Sequence, residues 1–286
     1  MRSTAWILTL ALGVAGPMQA QAVGPVRGTL FVAGGGMRDP GLGRTFLELA
    51  GGSDARIVVI PTAGENADYT QEWDGLDAFR ALGAVNLVVL HTRDRRVADS
   101  DAFAGTLRDA DAVWLAGGRQ WRLADVYLGT ATERELRALL ARGGTVGGSS
   151  AGATIQGSYL VRGDTRGNTV VMGDHEEGFG FLVNTAIDQH LLRRNRQFDL
   201  IEVIEAHPEL LGIGIDENTA IVVRGDSFDV IGNGYVAIYD PHTTVGNGGR
   251  FYFLAPGDRF DLAHRTARRG PGTGRPLDGL THQEWP

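Results

Sequence analysis

Five short apolar runs, spaced by segments of helical periodicity, constrain this chain more than any other feature. They are GTLFVAGG (28–35), RIVVIPTAG (56–64), NLVVL (86–90), DAVWLAGG (111–118) and GTVGG (144–148). Glycine or proline stops most of them. Between them, Trp73, Leu76, Phe79 and Leu82 recur at three-residue spacing, and Leu136, Leu139 and Leu140 share a face ahead of Gly143. Strands that are apolar along their whole length must be covered on both faces. Alternating with helices, they predict an α/β fold with a mainly parallel central sheet flanked by helices.

The pattern changes after about Asn184. Phe198, Ile201 and Ile204 stand in helical register. The runs IGID, AIVVRG, FDVIG, YVAIY and FYFLA follow, separated by turns such as Gly232-Asn233-Gly234. These are hairpin signals, and they predict antiparallel strands that extend the same sheet or form a small sheet beside it. With no internal repeat and no linker-like break, the expectation is one catalytic domain over 23–286. Its Gly-, Pro- and Arg-rich tail lies on the surface from about residue 265.

Composition narrows the function. The chain has 286 residues, 43% hydrophobic and 21% charged, enough for a sizeable core. Its net charge of −7 sets nucleic-acid binding aside. It has no cysteine, so disulfides, thiol nucleophiles and thiolate metal sites are excluded. The first stretch, MRSTAWILTLALGVAGPMQAQA, pairs Arg2 with an apolar segment from Trp6 to Ala15, too short for a membrane span of about 20 residues. It ends in Ala20-Gln21-Ala22, an A-x-A pattern. We read residues 1–22 as a secretory signal peptide cut after Ala22 or after Ala20, the alternative being a retained anchor. The mature protein is then periplasmic or extracellular, with no membrane association.

The chemistry centres on Gly148-Ser149-Ser150-Ala151-Gly152, a G-x-S-x-G run after a predicted strand and before a helix start. That is the context of a nucleophile elbow, with Ser150 in the exposed position and the N–H of Ala151 facing a developing oxyanion. The bland reading is a glycine-rich turn whose serines cap a helix. A nucleophilic serine needs a base. Of seven histidines, His190 stands out: it follows a strand-like run ending at Asp188 and leads into a helix. The C-terminal ends of such strands line the ligand crevice of open α/β sheets. His175 sits among acids in GDHEEG, where a metal is conceivable but a solvated loop is the simpler reading. The carboxylate that orients the imidazole comes from Asp216 or Glu217, an acidic pair interrupting an apolar pattern. Either gives the order serine, histidine, acid, whereas an α/β-hydrolase has serine, acid, histidine.

Four motifs together resemble the cyanophycinase family, the serine peptidase group that also contains aspartyl dipeptidase. They are VIPTAG, AGGRQ around Gly117-Gly118-Arg119-Gln120, GGSSAGA, and IDQHLLRRNR (187–196) followed by GIDENTAI. The resemblance runs from VAGGG to the strands around Ile238, most of the mature chain. It implies a class I glutamine amidotransferase-like fold with serine in place of cysteine, and no metal or organic cofactor. It implies Ser150 as nucleophile, His190 as base and Glu217 as orienting acid, with Gly118 and Ala151 as oxyanion-hole donors. Gln120, Asp188, Gln189, Arg194 and Arg196 match the positions that hold substrate. That substrate is a poly-aspartate chain carrying arginine on each side-chain carboxylate, from which β-Asp-Arg is released. Arg194 and Arg196 suit a forked grip on a carboxylate, and Asp188 suits an ammonium or guanidinium. Arg193 reads as a solvated residue.

There is one departure: the family's next arginine falls near Asp199 here, with Glu202 following. Gln189 favours cyanophycinase over aspartyl dipeptidase. The competing expectations are a dipeptidase or isopeptidase for other aspartyl peptides, and a non-catalytic binding module. A homodimer is the default assembly.

Overall fold

The computed structural model describes residues 22–243 and 245–271. Apart from Ala22, the expected leader therefore lies outside the described residues, as does the end of the tail, 272–286. The first five strands are β1 (Thr29–Ala33), β2 (Arg56–Ile60), β3 (Asn86–Val89), β4 (Ala112–Leu115) and β5 (Thr145–Ser149). Each falls within a residue of its expected run. They stand side by side in the order β3-β2-β4-β5-β1, and every neighbouring pair is parallel.

The connecting helices are α1 (Pro40–Ala50), α2 (Asp77–Ala81), α3 (Arg95–Ala98), α4 (Asp101–Ala104), α5 (Gln120–Tyr127), α6 (Ala131–Ala141) and α7 (Ala151–Thr154); α8 (Asp199–Ala206) comes later. The helix α1 is not among those the periodicity predicts. Its start is nonetheless well marked: the Asp39 side chain accepts from the Gly41 N–H, and Pro40 occupies the first turn. The face expected around Leu76 and Phe79 does turn inward, with both residues buried.

Both sheet faces are covered, as uninterrupted apolar strands require. Along β1, Leu30 and Val32 join one core while Phe31 and Ala33 join the other. On the second face, Phe46 of α1 packs edge-on against Phe31 and Trp114, at centroid distances of 5.7 and 4.8 Å. Each fully buried aliphatic or aromatic side chain of this kind contributes about 1.5–3 kcal/mol of transfer free energy.

The later strands are β6 (Gly157–Tyr159), β7 (Leu182–Gln189), β8 (Leu211–Ile215), β9 (Thr219–Arg224), β10 (Ser227–Gly232), β11 (Val236–Tyr239), β12 (Tyr252–Leu254), β13 (Arg259–Asp261) and β14 (Thr266–Arg268). Both arrangements expected for this half occur together. β9, β10, β13 and β14 extend the main sheet antiparallel from β1. A second sheet runs β12-β11-β8-β7-β6. In it, β6, β7 and β8 are parallel, and β11 and β12 are antiparallel. Thr266–Arg268, inside the expected tail, forms the edge strand.

One helix face needs correction. The register Phe198, Ile201, Ile204 does not point inward as a unit. Leu200, Val203 and Ile204 are buried against the second sheet, and Phe198 is 63% exposed. The helix starts only at Asp199, so Phe198 precedes its first turn and escapes its periodicity. Among the described residues no helix is long and apolar enough to cross a membrane.

Candidate active site

The loop after β1 gathers the site. Its three successive carbonyls each accept a backbone N–H from a different segment. Ala33 takes Ser150 (3.0 Å), Gly34 takes His190 (2.8 Å) and Gly35 takes Asn218 (2.9 Å). Thus the elbow after β5, the end of β7 and the turn between β8 and β9 hang on one tripeptide. The neighbouring glycines must be free of side chains. A Cβ on Gly35 would lie 2.3 Å from His190 Cε1, and one on Gly36 would lie 2.4 Å from Glu217 Oε2. In the sequence, VAGGG reads only as a strand end and a family motif. Its function as the hub of the site is a property of the tertiary structure.

Side chains then meet in line. Ser150 Oγ is 2.9 Å from His190 Nε2, and His190 Nδ1 is 2.7 Å from Glu217 Oε1. Of the two acids left open by the residue pattern, Glu217, the one the family resemblance implies, faces the imidazole. Asp216 faces away, its Oδ1 accepting the N–H groups of Leu192 and Arg193 at 3.0 Å each, and so fixes the turn after His190. Ser150, His190 and Asn218 all have positive backbone φ, of 56°, 53° and 53°. Such conformations cost of order 1–3 kcal/mol for residues with a Cβ and persist where packing over-determines them. At Ser150 the neighbours explain how: a Cβ on Gly148 would lie 2.2 Å from Gly152 O, so the elbow closes only with glycine there.

Burial, the largest influence, holds the His190 pKa below the ordinary imidazole value. The hydrogen bond to Glu217 works the other way, and the charges of Arg194 and Arg196 lower it further. At neutral pH the ring is therefore an uncharged acceptor. A hydroxyl bonded to a neutral imidazole whose far nitrogen is held by a carboxylate is the arrangement that activates a serine oxygen. The Gly117–Gly118 backbone runs past that oxygen. A Cβ on Gly117 would sit 3.9 Å from Ser150 Oγ. Gly118, at φ 141°, lies so close to the 61–64 loop that a Cβ would be 2.1 Å from Ala63 O. A cavity of about 540 Å³ opens beside the elbow, lined in part by Phe46, Trp114, Gly117 and Ser149.

The residues expected to hold substrate divide into two groups. Gln189 faces the site, its Oε1 3.5 Å from Ser150 Oγ. Arg194 is exposed on the adjoining turn. Gln120 is buried; its Nε2 donates to Val161 O at 2.7 Å, and its Oε1 has no partner among the described residues. Asp188 and Arg196 are different. Successive residues of a strand point to opposite faces, so when Gln189 reaches Ser150 its neighbour Asp188 turns inward. Asp188 is fully buried and receives two hydrogen bonds from Arg162, Nε to Oδ1 at 2.9 Å and Nη2 to Oδ2 at 3.0 Å. Arg196 is also buried. It donates to Gln189 O at 3.1 Å and lies 3.6 Å from Asp188. Burial brings its pKa down to about 10. Neither residue presents an open fork or carboxylate to a ligand.

Arg162 is the residue that sequence reading missed. It too has left-handed backbone, φ 58°, and is 2% exposed. Besides Asp188 it pairs with Asp199. The acid that stands where the family resemblance expects arginine is thus answered by an internal cation. The cluster holds two arginines and two carboxylates. The signal was present in the sequence, an arginine directly after the apolar Tyr159-Leu160-Val161, but its partners are 26 and 37 residues away. His175 pairs with Asp174 at 2.9 Å. Among the described residues no group of three or more His, Asp or Glu side chains is placed to hold a metal ion.

Comparison with known proteins gives the family. Residues 30–231 match the family model described as peptidase family S51. A cyanophycinase of Trichormus variabilis is 36% identical over 243 residues, covering 78% of this chain and 80% of that protein. One from Geminocystis herdmanii is 34% identical over 214 residues, covering 72% and 78%. Among solved structures, a peptidase from an acI-B1 actinobacterium superposes with a TM-score of 0.62 at 22% identity, covering 83% of this chain and 98% of that one. The last likeness speaks for the fold alone. A match over most of the chain, with relatives above a third identical, places it without ambiguity: the chain belongs to peptidase family S51 and is a serine-type peptidase.

Proposed function

We propose that this chain is an exported serine exopeptidase that hydrolyses an aspartyl–arginine polymer of the cyanophycin kind, releasing β-Asp-Arg dipeptides through an acyl-enzyme on Ser150. The observation that carries the reading is the unbroken line from Ser150 through His190 to Glu217, with Gln189 and Arg194 beside it. Ser150 Oγ attacks the scissile carbonyl while His190 Nε2 takes its proton, and Glu217 stabilises the imidazolium. The N–H groups of Gly118 and Ala151 receive the oxyanion. His190 then protonates the leaving amine, and it later activates the water that frees the acyl group.

Arg194, exposed on the turn after His190, is the side chain suited to a substrate carboxylate. Asp188 and Arg196 support this binding from behind, by holding the strand end that carries Gln189 and His190. The names of the curated relatives support the cyanophycin class, and the leader sequence supports export to the periplasm or beyond. A second reading is a dipeptidase or isopeptidase for other aspartyl peptides: Asp199 is paired inside the fold with Arg162, so the arginine that the family resemblance expects there is missing from the carboxylate grip.

Mass spectrometry of products tests both. The purified protein is incubated with cyanophycin and, separately, with Asp-X dipeptides. Release of β-Asp-Arg by the wild type and not by Ser150→Ala is the expected result. Hydrolysis of the dipeptides alone would establish the second reading. Undiminished release by Ser150→Ala would overturn the mechanism.

A further inference from the structure

The A-x-A motif at 20–22 is not used by the chemistry above, yet the residues just after it occupy a built position. Val23 and Gly24 lie against the turn that joins β9 to β10. The Val23 nitrogen is 2.7 Å from Asp226 Oδ1, and the Gly24 nitrogen is 3.3 Å from the same oxygen. On the other side, Val23 O accepts the N–H of Val183 at 2.8 Å. The Val23 side chain packs on the main core. At the next residue the two backbones are so close that a Cβ on Gly24 would lie 2.2 Å from Gly225 O. The start of the domain is thus gripped by a carboxylate, a β7 amide and a backbone contact that admits only glycine.

We propose that hydrolysis of the Ala22–Val23 bond by a leader peptidase makes Val23 the first residue, and that its new α-ammonium pairs with the Asp226 carboxylate. Water supplies the oxygen of the new Ala22 carboxylate and the protons of the Val23 amine. The nitrogen already sits at the distance of an ammonium–carboxylate hydrogen bond, about 2.7–2.9 Å. The cut therefore adds a positive charge to an atom that Asp226 already contacts. A cut after Ala20 would leave that nitrogen an uncharged amide. Asp226 closes the hairpin whose first strand, β9, pairs with β1 and begins two residues after Glu217. Other charged groups near Asp226 are Arg259, Asp261 and Arg268, which line the same cavity.

The proposal rests on the exported reading, and the test separates the two. The chain contains no lysine; all 27 of its basic residues are arginine. The α-amine is therefore its only primary amine, and amine acetylation modifies that one site. The full chain is expressed in an exporting host, and its N-terminus is sequenced by mass spectrometry. Melting temperatures of the free and acetylated proteins are then compared at low and high salt, for wild type and for Asp226→Asn. The expected result is a Val23 terminus. Acetylation then lowers Tm by about 1–3 °C in the wild type, as loss of a partly exposed ion pair would in a chain this long. The difference shrinks at high salt and is absent in Asp226→Asn. An uncut leader would overturn the proposed cut and pairing, and an uncut protein found in the host cytoplasm would sink the exported reading as well. A Gln21 terminus, or a Val23 terminus indifferent to acetylation in the wild type, would keep export and overturn the pairing.

Discussion

Replacing Asp188 by asparagine would leave the interior with two arginines and one carboxylate. Arg162 would lose its bidentate partner, bonded at 2.9 and 3.0 Å, and Arg196 its nearest acid at 3.6 Å. Both arginine side chains are less than a tenth exposed, so water cannot take over. The substituted amide could accept from one guanidinium nitrogen through its oxygen, but its NH₂ would face the other, donor against donor. Breaking one side of a buried pair costs about 3–5 kcal/mol. Asp199 still holds Arg162, which puts the expectation near the lower end, about 3 kcal/mol. For a chain of this size that lowers Tm by roughly 6–12 °C.

The assay is a thermal melt followed by circular dichroism, run beside steady-state kinetics at 25 °C. Stability and kcat should fall together, because Asp188 sits behind the segment that carries Gln189 and His190. The double variant Arg162→Met/Asp188→Leu should recover much of the loss, since Arg196 and Asp199 then balance each other. A Tm within about 2 °C of wild type, together with a KM raised about tenfold or more, would refute the reasoning. Asp188 would then be a substrate contact.

Further outcomes follow from the line of hydrogen bonds. Because burial depresses the His190 pKa and the base must be neutral, kcat/KM should fall on the acid side with a midpoint below about 6.5, read from a pH–rate profile. Glu217→Gln removes an influence that raises that pKa; the acid limb should move lower still, with kcat down on the order of 10³–10⁴-fold. Arg194→Gln removes a charge that lowers it, so the limb should move up, and KM for an acidic substrate should rise. Gly35→Ala would press a methyl to 2.3 Å from the imidazole; kcat should drop by about 10²-fold or more in a protein whose far-ultraviolet spectrum is unchanged.

The parts of this protein that the sequence makes legible are those governed by neighbours along the chain. Apolar runs, period and turn residues locate β1 to β5 and α6, because strand and helix patterns repeat within a few residues. The small-residue elbow isolates Ser150, and the histidine at a strand end picks out His190, because turn geometry limits which residues fit. What only the tertiary structure decides is pairing across distance. Alternation along β7 turns Gln189 toward Ser150 and Asp188 away, but the arginine that receives Asp188 comes from a segment 26 residues earlier. Asp199 reads as a reversed charge until Arg162 is found against it. The residue pattern alone leaves Asp216 and Glu217 open, and only the family resemblance points to Glu217; in the fold, with Asn218 held by the Gly35 carbonyl, Glu217 meets the imidazole and Asp216 a backbone turn. Local chemistry specified the reacting groups. Their orientation, and which charges serve the fold instead of the substrate, required the folded core, because electrostatic partners are chosen by proximity in space and leave no period in the chain.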